Sequence, residues 1–303
     1  ISFYDSPMIA AFLAVGFFTA SILTSARAAR YLGGISANMV RLAMALPLLM
    51  MCAALAGHSP WASHRAGDAW FLWSGVLGMG VCDIFVLSAY ARLGPRVTSL
   101  IVNSFAAPAA AVISWCLIGE LPGFRQLSAI AAITMGVLLV LRPRRGDRFD
   151  GIGMVCALIG AASFSCASVM SKVGFEQAAA AGDPIHWLDS AVVRVAAGLV
   201  LSWIIFALVA PFARAWRDGP GRWREAFPWL LINACLGPCA GMVCYQWALT
   251  TTSAAEVHAI VAVIPVLVLV QTWMFGEKRP DVLSVFGTVV AGAGVAALAF
   301  MHV

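Results

Sequence analysis

An acidic and a basic residue lie inside apolar stretches of this sequence, where a charge needs a partner or a task. Asp83 falls deep in the stretch 69–91, and Arg41 lies near the start of the stretch 37–56. A carboxylate in such a place can bind the ammonium group of a substrate or carry a proton. It can also pair with Arg41 as a structural contact, whereas Arg41 alone could extend its long side chain to a membrane surface. The sequence leaves these interpretations open.

Aromatic and amide side chains accompany this acid. Tyr90 lies seven residues after Asp83 and therefore on the same face of a helix. Trp247 occupies the position that corresponds to Tyr90 in the second half of the chain, so a ring from each half could stack on a flat substrate. Such rings are also typical of helix cores and of the membrane interface. Tyr245 and Gln246, the neighbours of Trp247, complete this group of candidate substrate-binding residues.

A stripe of small and polar residues runs along one face of the stretch 97–118. Its members lie three or four residues apart and are Ser99, Asn103, Ala107, Ala110 and Ser114. The stripe either lets two helices approach closely or lines a water-filled path, and the sequence favours neither.

Three ionisable residues of the second half form a further set. Arg194 and Glu256 are both expected near the outer ends of their helices, where they could form a charged gate or a plain surface pair. His258 lies two residues after Glu256 and faces elsewhere. It is either a packed histidine or a proton relay.

The elements that carry these residues are predicted to be membrane helices. Of the 303 residues, 62% are hydrophobic and 11% are charged, and the mean hydropathy is +0.91. Soluble proteins carry charges on about a quarter of their residues, so a soluble globular protein is excluded. Apolar stretches of roughly 20 residues, the length that spans a bilayer, cover 7–26, 37–56, 69–91, 97–118, 124–141, 151–172, 187–210, 226–249, 254–275 and 280–302. We predict an all-α integral membrane protein with ten transmembrane helices.

The two halves of the chain repeat each other at a spacing of 157 residues. The corresponding residues are Tyr90-Ala91 and Trp247-Ala248, Pro108 and Pro265, and Gly119-Glu120 and Gly276-Glu277. We predict one five-helix repeat over 1–145 and a second over 146–303. Because five is an odd number, the second repeat enters the membrane from the side that the first one left, and the two repeats are inverted.

Pro108 and Pro265 are predicted to kink the fourth and ninth helices. Proline lacks an amide donor and clashes with the preceding helical turn. The matched kinks could be hinges that open and close a central cavity, or they could be static features of the packing.

Positive charges are distributed unevenly between the two sides of the predicted bundle. The loops after the odd-numbered helices hold 14 Lys and Arg residues, and the opposite loops hold 3. Because cytoplasmic loops are enriched in these residues, we predict a multi-pass protein of the cell (inner) membrane with both termini outside. The net charge of +5 then favours anionic lipid, and not nucleic acid, as the partner of the cytoplasmic face.

Several function classes are excluded or disfavoured. The sequence has no GxxxxGK[ST] motif for ATP, so transport would be secondary or facilitative. All eight cysteines fall within predicted helices and are interpreted as small apolar residues, with no metal site and no cofactor expected. The N-terminal stretch lacks the basic region and cleavage site of a signal peptide, so it is predicted to remain as a helix.

This combination resembles the drug/metabolite transporter superfamily, in particular its EamA-type members. The resemblance covers essentially the whole chain and rests on the two five-helix repeats, the Gly-Glu pairs and four single residues, namely Arg41, Arg194, Pro108 and Pro265. It implies export of amino acids and other small metabolites, and one branch, the YddG type, exports aromatic amino acids. Members of this family are often drawn with both termini in the cytoplasm, opposite to the orientation that the charge count predicts.

The sequence thus predicts a secondary exporter of small metabolites, above all amino acids, that works by alternating access at a cavity between the repeats. The alternatives are an exporter of flat cationic drugs in the same fold, an intramembrane enzyme, and a non-transporting scaffold or receptor. The expected partners are a small-molecule substrate and the lipid bilayer, and the chain would act as a monomer or homodimer.

Overall fold

A computed structural model describes residues 7–58, 66–119, 123–140, 150–209 and 220–274, together with isolated positions between 283 and 297. The regular elements in this part of the chain are all helical. Seven stretches of helix are long and apolar enough to cross a membrane, namely Ile9–Leu32, Gly34–Leu55, Asp68–Pro95, Val97–Ile118, Gly151–Ala180, Trp187–Val209 and Arg222–Leu249. The all-α membrane fold is thus confirmed.

Two segments of wider π-helix interrupt a series of α-helices. The α-helices are α1 Pro7–Leu55, α2 Asp68–Gly75, α3 Asp83–Ile118, α4 Phe124–Val140, α5 Gly151–Ala180, α6 Trp187–Val209, α7 Pro220–Ala234, α8 Met242–Leu249, α9 Ala254–Val261 and α10 Ile264–Met274. The first π segment, Val76–Cys82, joins α2 to α3. The second π segment, Cys235–Gly241, joins α7 to α8.

Two glycines divide α1 and α3 into pairs of consecutive spans. Gly33 has φ 78° and ψ 166°, and Gly94 has φ 81° and ψ 167°. This combination is almost restricted to glycine, because it strains the backbone of any residue that carries a Cβ atom. The helix breaks at a single residue in each case, so the paired spans follow one another without a longer loop.

The predicted count of ten spans is met only in part. The stretch 124–141 corresponds to α4, which has 17 residues, and the stretch 254–275 is divided into α9 and α10. The last stretch, 280–302, lies largely outside the described residues. The described part of the chain therefore shows seven long spans and several shorter apolar helices.

Helices of the first half pack directly against helices of the second half. α3 lies along α5, and α1 contacts α6, α7 and the second π segment. The two halves share one core as a result. A site at their interface can therefore draw side chains from both.

The outer surface of the bundle is apolar. Leu55, Phe124 and Leu208 are among its large side chains and are 82%, 86% and 69% exposed. Such a surface would favour aggregation in water, whereas the hydrocarbon of a membrane solvates it. The helices satisfy the hydrogen bonds of their own backbone groups. The arrangement is that of a multi-pass membrane protein.

Contacts at the helix ends agree with spans that alternate in direction. His58, after the second span, stacks on His186 ahead of α6 with ring centres 3.9 Å apart. Arg92, near the end of the third span, pairs with Asp150 ahead of α5 at 2.7 Å. The first contact joins loops that follow even-numbered predicted helices, and the second joins loops that follow odd-numbered ones. Which of these faces is cytoplasmic stays a prediction.

Candidate functional site

A cavity of about 120 Å³ lies between the two halves of the bundle. Its wall draws on α1, the first π segment and α3 from the first half, and on α5, α6, the second π segment and α8 to α10 from the second. The wall is mainly apolar but includes three charged and three aromatic side chains, namely Arg41, Asp83, Arg194, Phe18, Tyr90 and Phe164. A concave, largely apolar site with a few charged groups is typical of small-molecule binding.

Arg41 and Asp83 form an ion pair in the wall of this cavity. The guanidinium Nη2 contacts the Asp83 carboxylate, while Nε donates to Asn38 Oδ1 at 2.9 Å and Nη1 to Asn233 Oδ1 at 3.1 Å. Arg41 is buried, with 7% of its surface exposed. It therefore points inward to its partners and does not extend to the membrane surface.

Two buried asparagines, which sequence reasoning missed, hold Arg41 in place. Asn38 donates through Nδ2 to the Met79 carbonyl at 2.8 Å and to Ser202 Oγ at 2.9 Å. Asn233 donates to the Ser21 carbonyl at 2.9 Å. The signal for Asn38 was its position three residues before Arg41, which places both on one helix face.

Arg194 lies in the same wall but is bound differently. Its Nη1 donates to Ser171 Oγ at 3.0 Å and also to Gln246 Oε1, and the residue is fully buried. Gln246 in turn donates to Ser190 Oγ at 3.0 Å. The contact between Arg194 and Glu256 that the sequence suggested is not formed in this structure.

Glu256 takes part in the start of α9. Its carboxylate accepts from the Ser253 backbone amide at 3.3 Å, and the Ser253 side chain accepts from the Glu256 amide at 3.3 Å, which together form a capping box. Gln126 of α4 donates to the other carboxylate oxygen at 2.6 Å. These contacts hold the carboxylate at the helix end, away from Arg194.

His258 and Tyr245 are packed behind the cavity wall. Ser168 Oγ lies 2.7 Å from the Tyr245 hydroxyl and 2.9 Å from His258 Nε2, and both rings are fully buried. Phe164, which lines the cavity, stacks on Tyr245 with ring centres 5.5 Å apart and meets His258 edge-on at 4.5 Å. The packed-histidine interpretation is the one that this geometry supports.

Two further candidates of the first half, Tyr90 and Asn103, line the cavity. Asn103 donates from Nδ2 to the Ser99 carbonyl at 2.8 Å within its own helix. The stripe of small residues is buried along its whole length, from Ser99 to Ser114. It therefore packs against other helices, and Asn103 is its contribution to the cavity.

Trp247 does not face Tyr90 across the cavity, contrary to the sequence prediction. Its ring stacks on Trp187 at 5.8 Å, outside the cavity wall. Phe18 and Phe164 supply the rings that accompany Tyr90 instead.

The two π segments form part of the cavity wall. The first contributes Gly78, Met79 and Cys82, and the second contributes Gly237 and Pro238. π-Helical turns are rare and occur frequently at functional sites. Sequence reasoning did not predict them, although the matching Gly80/Gly237 and Cys82/Cys239 pairs marked these positions.

The two prolines have different surroundings. α3 continues through Pro108, and its non-helical residue is Gly94. In the second half the helix stops at Val261 and resumes at Ile264, just before Pro265. Proline fits the first turn of a helix, where its missing amide donor is not needed. That the two prolines are matched kinks or hinges stays a prediction.

Two groups in the loops have shifted pKa values. Partial burial, together with the stacked His58 ring, lowers the pKa of His186. The hydrogen bond from Arg92 lowers the pKa of the Asp150 carboxyl. Among the described residues, no group of three or more His, Cys, Asp or Glu side chains is placed to hold a metal ion.

Comparison with known proteins gives one family match and a fold match. The model of a family described as the EamA-like transporter family matches residues 5–142 and again 151–300. No match is found among curated proteins. A crystal structure superposes with a TM-score of 0.75 at 14% identity, covering 98% of this chain and 97% of its own. At this identity the superposition shows the fold alone.

Proposed function

The chain belongs to the EamA-like transporter family, and we propose that it is a secondary transporter that exports small metabolites, above all amino acids, including aromatic ones. Family membership supports a membrane transporter of small solutes. The substrate class and the transport mechanism are the parts that we propose.

The composition of the cavity wall is the observation that carries the substrate class. The wall combines the Asp83 carboxylate with two guanidinium groups. An amino acid carries an ammonium and a carboxylate group, so charges of both signs can be matched by charge-assisted hydrogen bonds. Phe18, Tyr90 and Phe164 add ring surfaces that favour an aromatic side chain.

Alternating access is supported by the origin of the wall. Both halves contribute residues to it, as expected when a central site opens first to one side and then to the other. The break between α9 and α10 and the two π segments are candidate points of bending, because the regular helical hydrogen bonds are interrupted there. We propose that movement at these points opens the cavity.

The proposed orientation follows from the Lys and Arg count. The 14-charge face is taken as cytoplasmic, with both termini outside the cell (inner) membrane. Transport would proceed without ATP, by a monomer or homodimer.

Counterflow in proteoliposomes tests this function. Liposomes are loaded with unlabelled phenylalanine, and uptake of the labelled compound is compared for the native protein and Asp83→Asn. The native protein should accumulate label, and the variant should lose about tenfold or more, because the ammonium group of the substrate would lose the Asp83 carboxylate as its partner. Asp150→Asn, which alters a loop carboxylate outside the cavity, is the matched control and should keep its flux.

Two outcomes would contradict parts of this proposal. If no amino acid supports counterflow, the proposed substrate class is wrong. Full flux in Asp83→Asn would restrict Asp83 to a structural pairing with Arg41. Size-exclusion profiles of the variants show whether a loss of flux reflects a loss of folding.

A further inference from the structure

Arg194 is a fully buried guanidinium group with unused hydrogen-bonding capacity. Only Nη1 has acceptors, and both of them, the Ser171 hydroxyl and the Gln246 amide oxygen, are neutral. Nε and Nη2 have no hydrogen-bond partner among the described residues. No described carboxylate lies within ion-pair distance of this side chain.

Arg41, the corresponding arginine of the first repeat, shows what a complete set of partners looks like. Each of its three nitrogens has one, and Asp83 neutralises its charge. An unpaired buried charge is strongly unfavourable, and an ionisable residue inside a membrane protein indicates function by default. The difference between the two arginines therefore indicates that a ligand supplies the counter-charge of Arg194.

Arg194 borders the cavity beside Gly78. A Cβ atom at position 78 would lie 2.7 Å from Nη2, so Gly78 packs directly against the unpaired edge. Nε and Nη2 are covered in this conformation, so binding of a ligand there requires movement of the wall at Gly78.

The charge of the wall points to the sign of the ligand. Among the described lining residues, Arg41 and Asp83 neutralise each other, which leaves the single positive charge of Arg194. Such a wall attracts an anionic group and repels a compound that carries only positive charge.

We propose that Nε and Nη2 of Arg194 bind the carboxylate of the transported substrate in the parallel, two-bond geometry that guanidinium and carboxylate groups adopt. Arg194 is then a substrate-binding residue, and the substrate must carry an anionic group. This inference rests on the proposed transport function and deepens it, because it admits amino acids and excludes flat cationic drugs.

The test compares phenylalanine with phenylalaninamide, which keeps the ring and the ammonium group but lacks the carboxylate. Both are used unlabelled as competitors of labelled phenylalanine counterflow. For the native protein the amide should compete about tenfold or more less effectively, the loss expected when a charged group is left without its partner. In Arg194→Gln the two competitors should become equal within about twofold, and Arg194→Lys should keep part of the preference.

A control variant distinguishes a role of Arg194 in substrate binding from a role in the structure alone. Ser171→Ala removes an acceptor of Nη1 but leaves Nε and Nη2 unchanged, so it should keep the preference for phenylalanine even if flux falls. A purely structural Arg194 would lower flux without altering the ratio of the competitors. Equal competition by the two compounds in the native protein would overturn this assignment and leave transport itself intact.

A second measurement applies if no amino acid drives counterflow, which would overturn the proposed function. The thermal unfolding midpoint of the native protein is then measured in detergent with small carboxylates and with the matching amides. Stabilisation by the carboxylates alone, absent from Arg194→Gln, would support an anion site at Arg194. No stabilisation would overturn it.

Discussion

Arg41 and Arg194 lie in corresponding helices of the two repeats, yet their guanidinium groups meet different surroundings. Arg41 is enclosed by a carboxylate and two asparagines. Arg194 has two neutral acceptors and two nitrogens without partners among the described residues. The same residue type therefore joins helices of both halves at one site, and at the other site we propose that a ligand supplies its missing partner.

Asn38 should be essential for the support of Arg41. Its replacement by alanine removes the acceptor of Arg41 Nε and both hydrogen bonds that Asn38 donates. Leaving a buried group without its partner costs about 1–3 kcal/mol, so the thermal unfolding midpoint of Asn38→Ala in detergent should fall by several degrees.

Asn103→Ala is the matched control for Asn38→Ala. The hydrogen bond of Asn103 stays within its own helix, and the side chain borders the cavity. Its removal should change the midpoint much less. Equal midpoints for the two variants would contradict the supporting role of Asn38.

Helices that depart from regular geometry surround the cavity in both halves. The π segments contribute to its wall, and the break between α9 and α10 lies beside Val261 and Ile264, which also line it. Regular helix is found where the halves pack over long distances, as between α3 and α5. Irregular backbone at a central site exposes groups that a regular helix would use internally, which suits binding and movement.

Gly94 is expected to be required for the turn between the third and fourth spans. Gly94→Ala should lower stability by about 1–3 kcal/mol, because its backbone dihedrals are almost restricted to glycine. No heavy atom lies within 4 Å of a Cβ built at this position, so the effect would come from backbone strain and not from a collision. Thermal unfolding in detergent measures it.

Gly16→Ala provides the comparison for Gly94→Ala. Gly16 is helical and also has open space around its Cβ position. Alanine is favoured over glycine inside a helix by roughly 0.5–1 kcal/mol, so this variant should be as stable as the native protein or more so. A similar loss in both variants would show that strain at Gly94 is not the cause.

At the scale of the whole molecule, the two halves are interleaved around one cavity. Neither half alone supplies the charged and aromatic wall, because Asp83 and Tyr90 come from one half and Arg194 and Phe164 from the other. Many large apolar side chains are exposed on the outer surface of the membrane-spanning part that the structure describes. A solute site in the centre with lipid outside is the arrangement that transport needs.

The orientation of the molecule can be tested by labelling single introduced cysteines in intact cells. Asp183→Cys lies in the exposed loop between α5 and α6, and Gly151→Cys lies at the exposed start of α5. A membrane-impermeant maleimide should modify the first from outside and the second only after permeabilisation. The native chain, with its own eight cysteines, provides the background. The reverse pattern would place both termini in the cytoplasm.

Much of the fold and part of the site could be predicted from sequence, because they depend on local patterns. Apolar stretches of sufficient length determined the membrane helices, and the repeated residues indicated two related halves. Opposite charges in apolar helices offered an Asp83–Arg41 pair as one interpretation, and helical periodicity placed Tyr90 on the same face as Asp83. These inferences need only composition and spacing.

Other features were decided by the tertiary structure alone. Trp247 stacks on Trp187 and does not line the cavity, although its alignment with Tyr90 suggested a place there. The capping box directed Glu256 to its own helix end, away from Arg194. Whether a buried arginine is saturated or unpaired depends on side chains from distant helices, such as Asn233 for Arg41. Spacing along one helix cannot contain that information, because the partners meet only when the two halves pack together.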